Sequence, residues 1–286
     1  MLTTEVREIM TPEVITTDVA STIFEVMETM ARNNVGGIVI TDKQRPVGIF
    51  TEQDVLKRVM NKKLDPRETA IMEVMTAPIR AIPRELHIIE ALGKMYKSRF
   101  RHFLIRGEKR EIVGIISIRD ILRFAVRLGR GLPETKTIDS IMSSKLITVE
   151  ASCPIYDTIE TMLKNNAGCV IVSLDGKPKG IFTERDVLKR VAIKNIDSKK
   201  TGVKEVMTAD FVAMAHSALI GEVLSEMQRK GFRHMPIRED KEKVVGIVSL
   251  RDLLKYAKAL DVDESVRKAW KEIEEFWESE DHYTPG

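Results

Sequence analysis

A hydroxyl and a carboxylate three residues apart recur four times in this chain, each time where an apolar strand pattern gives way to a helical one. The phrase reads Gly, two apolar residues, Thr or Ser, two variable residues, Asp, and it spans 48–54, 114–120, 180–186 and 246–252. Its chemically able pairs are Thr51 with Asp54, Ser117 with Asp120, Thr183 with Asp186 and Ser249 with Asp252. One reading is architectural. The hydroxyl caps the first free amides of the helix, the acid favours its N-terminus, and the Gly allows close packing or a bulge in the strand. The other is a binding site, since free amides and a hydroxyl at a helix start suit a phosphate. The Asp one turn in then accepts from vicinal hydroxyls of a ribose, as an acid does in dinucleotide folds. Both hold together, because a cap places the same groups. Residues 48–59 and 180–191 are the fullest copies and differ only by Gln53 for Arg185.

A second cluster stands just before a strand in the second and fourth repeats: Phe100-Arg101-His102 and Phe232-Arg233-His234. Guanidinium and imidazole side by side supply charge and donors to phosphate oxygens. The plain alternative is a half-buried His beside a solvated Arg. No further His, Cys or acid stands at metal-ligand spacing, so no metal site is expected. His87 and His216 lack comparable context. No activated nucleophile beside a base and no P-loop is present, so the chain reads as non-catalytic.

The elements that must position these groups repeat with them. An apolar turn ending in Met and a small polar residue opens each unit, at Met10-Thr11, Met75-Thr76, Met142-Ser143 and Met207-Thr208. Met10 and Met142, Gly48 and Gly180, Arg101 and Arg233, and Asp120 and Asp252 are each 132 residues apart. A two-unit segment duplicated once in tandem accounts for that register. Within a unit, Ile155, Ile159, Met162 and Leu163 keep helical spacing, and Cys169 to Val172 is a short apolar strand. Asp175-Gly176 signals a hairpin, Lys179 to Phe182 is the return strand, and Val187, Leu188 and Val191 share a helical face. With a short strand over Leu146 to Val149 the unit is β-α-β-β-α. The predicted units are 1–66, 67–131, 132–198 and 199–260. A tail over 261–286 carries Val266, Trp270, Ile273 and Trp277 at the spacing of an amphipathic helix. A lone unit of about 60 residues is marginal, so units must pair.

Composition narrows the class. The 286 residues are 43% hydrophobic and 31% charged with a net charge of +3, which fits a globular chain and gives little support to nucleic-acid binding. No apolar run approaches a membrane span and no signal-peptide pattern opens the chain. Cys153 and Cys169 fall in no metal or disulfide pattern, so free thiols in a reducing cytoplasm are expected.

The Met-Thr opening, the β-α-β-β-α unit and the Gly-to-Asp close resemble CBS domains, named after cystathionine β-synthase, in all four units over about residues 1–260. The chain is similar to stand-alone CBS proteins and to the nucleotide-binding part of the AMP-activated protein kinase γ subunit. The resemblance implies an α/β (α+β) fold whose domains join in pairs as Bateman modules, 1–131 and 132–260, each with two clefts related by pseudo-twofold symmetry. It also implies a disc of two modules, formed within one chain or by homodimerisation. The implied ligand is AMP, ADP, ATP or S-adenosylmethionine, bound by a regulatory protein whose partner reads the change in geometry.

Carried over residue by residue, Asp54, Asp120, Asp186 and Asp252 are the ribose-binding acids, and Thr51, Ser117, Thr183 and Ser249 the hydroxyls near ribose and phosphate. Arg101, His102, Arg233 and His234 fall where the kinase subunit has a His-Arg pair; the order here is reversed. Ile15, Arg80, Ile147 and Val212 fall near positions whose backbone meets the adenine edge, with Arg80 the odd one. Val35-Gly36 and Ala167-Gly168 fall in the adenine wall, small enough to admit a flat ring. Units one and three lack the Arg-His pair, so the two clefts of a module are expected to differ, and to differ alike in both modules. A nucleic-acid regulator and a scaffold with empty clefts are the competing classes.

Overall fold

A computed structural model describes residues 4–62, 64–98, 100, 102–109, 111–127, 136–240, 243–250 and 252. The predicted tail helix and Arg101 lie outside the described residues.

Local sequence sets each unit. In the first, β1 (Thr16–Asp18) leads into α1 (Ile23–Arg32), and the hairpin β2 (Gly37–Asp42) and β3 (Arg45–Thr51) follows. Thr22 caps α1: its hydroxyl accepts from Glu25 N at 3.3 Å while Glu25 accepts from Thr22 N at 2.8 Å, a reciprocal capping box. The hairpin turn places Lys43 and Gln44 at φ 47° and 65°. Its counterpart in the third unit, the predicted Asp175-Gly176, has φ 52° and 75°; two positive φ values in a row match the right-handed twist of a tight hairpin.

The same order returns three times. The second unit has β4 (Ala81–Pro83), α3 (Ile88–Lys97), β5 (His102–Arg106), β6 (Ile112–Ser117) and α4 (Ile118–Arg127). Unit one closes on the short helix α2 (Glu52–Asp54), and the third unit has β7 (Thr148–Glu150), α5 (Ile155–Lys164), β8 (Cys169–Leu174), β9 (Lys177–Thr183) and α6 (Glu184–Asp186). The fourth has β10 (Thr208–Ala209), β11 (Met214–Ala215), α7 (Ile220–Lys230), β12 (His234–Arg238) and β13 (Val244–Ser249). Two predicted bounds move. The first strand of unit three lies at Thr148–Glu150 rather than Leu146 to Val149, because it pairs with Ile171 to Ser173 of β8. The return strand runs over the whole of Lys177–Thr183.

In each unit the strand before the helix (β1, β4, β7 or β11) is parallel to the strand after it, which is antiparallel to the next; β10 instead pairs antiparallel with β9 of unit three. All four hairpins carry an irregularity in register beside the phrase's Gly, whose partners are Ile40, Ile105, Val172 and Ile237. The bulge read from that Gly is therefore present. Beyond α2 and α6 the backbone does not stay α-helical. Residues Val55–Met60 and Val187–Ala192 form π turns. Their i−5 bonds continue beyond them, from Asn61 N to Leu56 O at 3.1 Å and from Ile193 N to Leu188 O at 3.2 Å.

Units pair by exchanging their openings. The Thr11 backbone bridges Ile115 of unit two and Thr76 bridges Ile49 of unit one; Ser143 bridges Ile247 and Thr208 pairs with Ile181 in the other module. The repeated Met and the repeated Gly are partners in this exchange. A Cβ on Gly48 would lie 2.4 Å from Met75 Sδ, on Gly114 2.8 Å from Met10 Sδ, on Gly180 2.3 Å from Met207 Sδ and on Gly246 2.5 Å from Met142 Sδ. Glycine is what lets each Met of one unit lie on the strand of its sister.

The modules in turn share their cores. One core gathers Val26, Met27 and Met30 of unit one with Ile155, Ile159 and Met162 of unit three, and it holds the openings of units two and four through Ile71 and Val203. The other gathers Ile88, Leu92 and Met95 of unit two with Val223, Leu224 and Met227 of unit four, plus Val6 and Ile138 from the openings of units one and three. The two modules thus close into one body within a single chain.

Candidate functional site

At each sheet-to-helix junction the hydroxyl and the acid close on one another. Asp54 Oδ2 accepts from Thr51 N at 2.8 Å and from its hydroxyl at 2.6 Å; Asp120 Oδ2 accepts from Ser117 N and Oγ at 2.8 and 2.6 Å. Asp186 does the same with Thr183 at 2.9 and 2.7 Å, and Asp252 with Ser249 at 2.8 and 2.6 Å. The cap is therefore real in all four units. It also fixes each carboxylate with one oxygen engaged.

The second oxygen separates odd units from even ones. In unit one, Arg58 Nε lies 3.5 Å from Asp54 Oδ1, and Arg58 also donates to Val74 O and Met75 O at 2.8 and 2.7 Å. In unit three, Arg190 Nε lies 3.3 Å from Asp186 Oδ1 and Arg190 donates to Val206 O and Met207 O at 3.0 and 2.6 Å. Each Arg ties its own Asp to the opening of the neighbouring unit. Four residues after Asp120 and Asp252 stand Phe124 and Tyr256, which carry no cation to make the same tie. Burial raises the carboxyls of Asp54 and Asp186 above the ordinary range, against the lowering effect of their Thr hydroxyls and arginines. Units one and three thus share an Asp–Arg tie at the same place in both modules.

The strand register brings further predicted residues together. His102 stands opposite Ser117 and His234 opposite Ser249 on paired strands. His102 also lines a crevice of about 300 Å³, open mouth included, with Ile49, Thr76, Pro78, Ile79, Arg80, Phe100 and Leu104. Thr76 Oγ1 is 3.4 Å from Asp54 Oδ1, which places the Asp54 box behind this wall. The Arg80 guanidinium lies over the Phe100 ring, 5.4 Å from its centroid. In unit four the equivalent residues are Val212 and Phe232, each 36% exposed. The carbonyls of Ile15, Arg80 and Ile147 accept from Val39, Leu104 and Ile171 at 3.1, 3.2 and 2.9 Å, so the strands already use them.

Gly36 and Gly168 face side chains of unit four. A Cβ on Gly168 would lie 2.7 Å from His234 Cε1, and one on Gly36 would lie 2.1 Å from Arg233 Nη2. Val35 and Ala167 precede them as small neighbours. Arg233 crosses to the other module, where it pairs with Glu52, a residue only 2% exposed. Sequence reading missed Glu52, Arg58 and Arg190. The signal was present, since Thr-Glu-x-Asp with Arg four residues on occurs in units one and three alone.

Among the described residues no group of three or more metal-ligating side chains gathers, and no helix is long and apolar enough to cross a membrane. The sequence model of the CBS domain matches residues 6–61, 71–127, 138–193 and 203–259. The CBS domain-containing protein CBSCBSPB1 of Arabidopsis thaliana is 25% identical over 283 residues, covering 86% of this chain and 52% of that protein. An uncharacterized 33.4 kDa protein of the ribosomal RNA operon of Thermofilum pendens is 30% identical over 183 residues, 60% of this chain and 59% of that one. The chain thus spans about half the length of the plant relatives it matches. In three dimensions it resembles the crystal structure of protein MJ1225 from Methanocaldococcus jannaschii with a TM-score of 0.74 at 18% identity, over 88% of this chain and 99% of that one.

Proposed function

This chain belongs to the CBS-domain family, and from that premise we propose that it is a non-catalytic regulatory protein whose clefts bind an adenosine ligand. The observation that carries the reading is the hydroxyl–Asp box, kept in four units at the end of a strand that bridges a sister unit's opening. In Asp120 and Asp252 no arginine at the fourth following position takes the second carboxylate oxygen. That oxygen is suited to accept from the vicinal hydroxyls of a ribose. We assign the principal sites to these two acids with Ser117 and Ser249, walled by Ile15, Val35 and Gly36 in one module and by Ile147, Ala167 and Gly168 in the other.

Among adenosine ligands, AMP, ADP or ATP fits better than S-adenosylmethionine. The cations near the clefts, Arg80 and Arg233, favour phosphate over a sulfonium. A cytoplasmic setting agrees with the two free thiols. Binding across two units changes their mutual angle only if one geometry binds the ligand better; a protein partner would read that change.

Calorimetric titration of nucleotide-stripped protein with AMP, ADP, ATP and S-adenosylmethionine tests the reading. Saturable binding is expected, with stoichiometry reduced in Asp120→Ala and in Asp252→Ala and retained in Asp54→Ala. No heat with any of the four, together with an unmoved melting temperature, would overturn it in favour of a scaffold with empty clefts.

A further inference from the structure

The single departure between the two twelve-residue copies, Gln53 against Arg185, falls at the meeting point of all four units. Glu52 of unit one is clasped there from two sides. Arg185 of unit three places Nε 3.5 Å from Oε1, and Arg233 of unit four pairs with Oε2. Arg119 of unit two lies in the same field: burial and then the charges of Arg233 and Arg185 push its guanidinium down to about 10, and Glu52 and Asp120 offset this only in part. Lys189 adds a further positive charge beside Arg185 and donates to Asn34 of the other module at 2.8 Å.

Two arginines therefore contact one carboxylate, and a third, Arg119, is near enough to feel their charge. Arg185 Nη2 is buried and has no hydrogen-bond partner among the described residues. A buried guanidinium donor left unmade is costly, and a fixed excess of positive charge beside it is a seat for an anion. Gly36 makes room for the Arg233 guanidinium, which a Cβ there would strike. The seat is within reach of solvent, with the Arg185 and Arg233 side chains 27% and 21% exposed.

We propose that Arg185 makes the junction between the modules a one-sided anion latch. Glu52 is its resident anion, and an incoming phosphate chain displaces Glu52 from Arg185 and Arg233. Binding there exchanges a contact within the protein, Glu52 of one module with arginines of the other, for contacts with the ligand. The anion therefore loosens a tie between modules as it binds. At the pseudo-equivalent place Gln53 stands where Arg185 does, so the latch is single although the chain is duplicated. As a route by which a cleft-bound nucleotide would be felt across the body, it rests on the reading above; as an anion site it can be tested without it.

The probe is inorganic tripolyphosphate, titrated calorimetrically into the full chain at constant ionic strength, with adenosine and ATP in parallel. One saturable site per chain is expected. Arg185→Gln, which installs the chain's own alternative residue, should weaken tripolyphosphate by about tenfold, the scale of a charge-assisted bond. Glu52→Gln should tighten it by a comparable factor, because the competing anion is gone. Adenosine, having no phosphate, should be indifferent to both changes. Tripolyphosphate binding that is unaltered in Arg185→Gln, or weakened in Glu52→Gln, overturns the latch. If Glu52→Gln fails to fold, Arg185→Gln alone decides. Arg185-dependent tripolyphosphate binding without any nucleoside binding would keep the latch and remove the adenosine reading. Nucleoside binding beside tripolyphosphate that ignores Arg185 would do the reverse.

Discussion

A carboxylate at the start of a helix serves two masters here, and the difference between Asp54 and Asp120 shows how. Both accept from the amide and hydroxyl three residues back, but Asp54 is also held by Arg58 and is 8% exposed, whereas the fourth residue after Asp120 is Phe124. Burial raises Asp54 and Asp186, so the folded chain takes up protons there at a pH where the unfolded chain does not. The sign follows: these two groups favour the folded state increasingly as pH falls through that window, and ionisation costs stability as pH rises through it. Melting temperatures of the wild type and of Asp54→Asn/Asp186→Asn, followed from neutral to mildly acidic pH, should diverge in favour of the wild type on acidification; parallel curves would contradict the assignment. The cysteines give a second residue-scale expectation. Cys169 is buried beside Glu184 and Asp186, and desolvation first and those acids next push its thiol well up. Alkylation at neutral pH, followed by mass spectrometry, should modify Cys153 and spare Cys169 until the chain unfolds.

At the scale of elements, the phrase's glycines are seats for the opening methionines, and the surroundings of each seat predict how a methyl group is tolerated. At Gly180 every close neighbour is a Met207 side-chain atom, which can rotate away. At Gly114 the added carbon would also meet the Thr11 carbonyl oxygen at 2.8 Å, and that backbone is held by its bridge to Ile115. Gly114→Ala should therefore cost about 1–3 kcal/mol, as overpacking against fixed atoms does. Gly180→Ala should cost less, and Met10→Ala should not rescue Gly114→Ala. Urea titrations of the three variants check the order. The π turns belong to this scale too. They stand in units one and three, where Val55–Met60 and Val187–Ala192 pack on one another within the shared core, and nothing in the heptad-like spacing of their side chains announced the wider turn.

At the scale of the molecule, neither module owns a complete core. Residues of α1 lie with those of α5, and residues of α3 with those of α7. Separating residues 1–131 from the rest would uncover both helix faces at once. That segment expressed alone should self-associate by those faces, with a size-exclusion mass of at least two copies, whereas the full chain should unfold in a single cooperative transition. A monomeric, well-folded 1–131 would mean that the intermodule packing contributes little.

The sequence alone determined the repeat, its β-α-β-β-α order, the tandem duplication and the four capping boxes. These are local: a strand's alternation, a turn's Asp-Gly and a cap's Thr-x-x-Asp are enforced by backbone geometry within a few residues. The difference between odd and even units was also legible, down to Gln53 and Arg185. Tertiary structure alone decided what those differences do. No spacing rule pairs Met75 with Gly48, or Arg233 with Glu52 at 181 residues' separation, because those contacts depend on how units exchange openings and how modules face each other. Packing of apolar helix faces settles that arrangement without regard to chain distance, and it carries the charged residues of four units to one point.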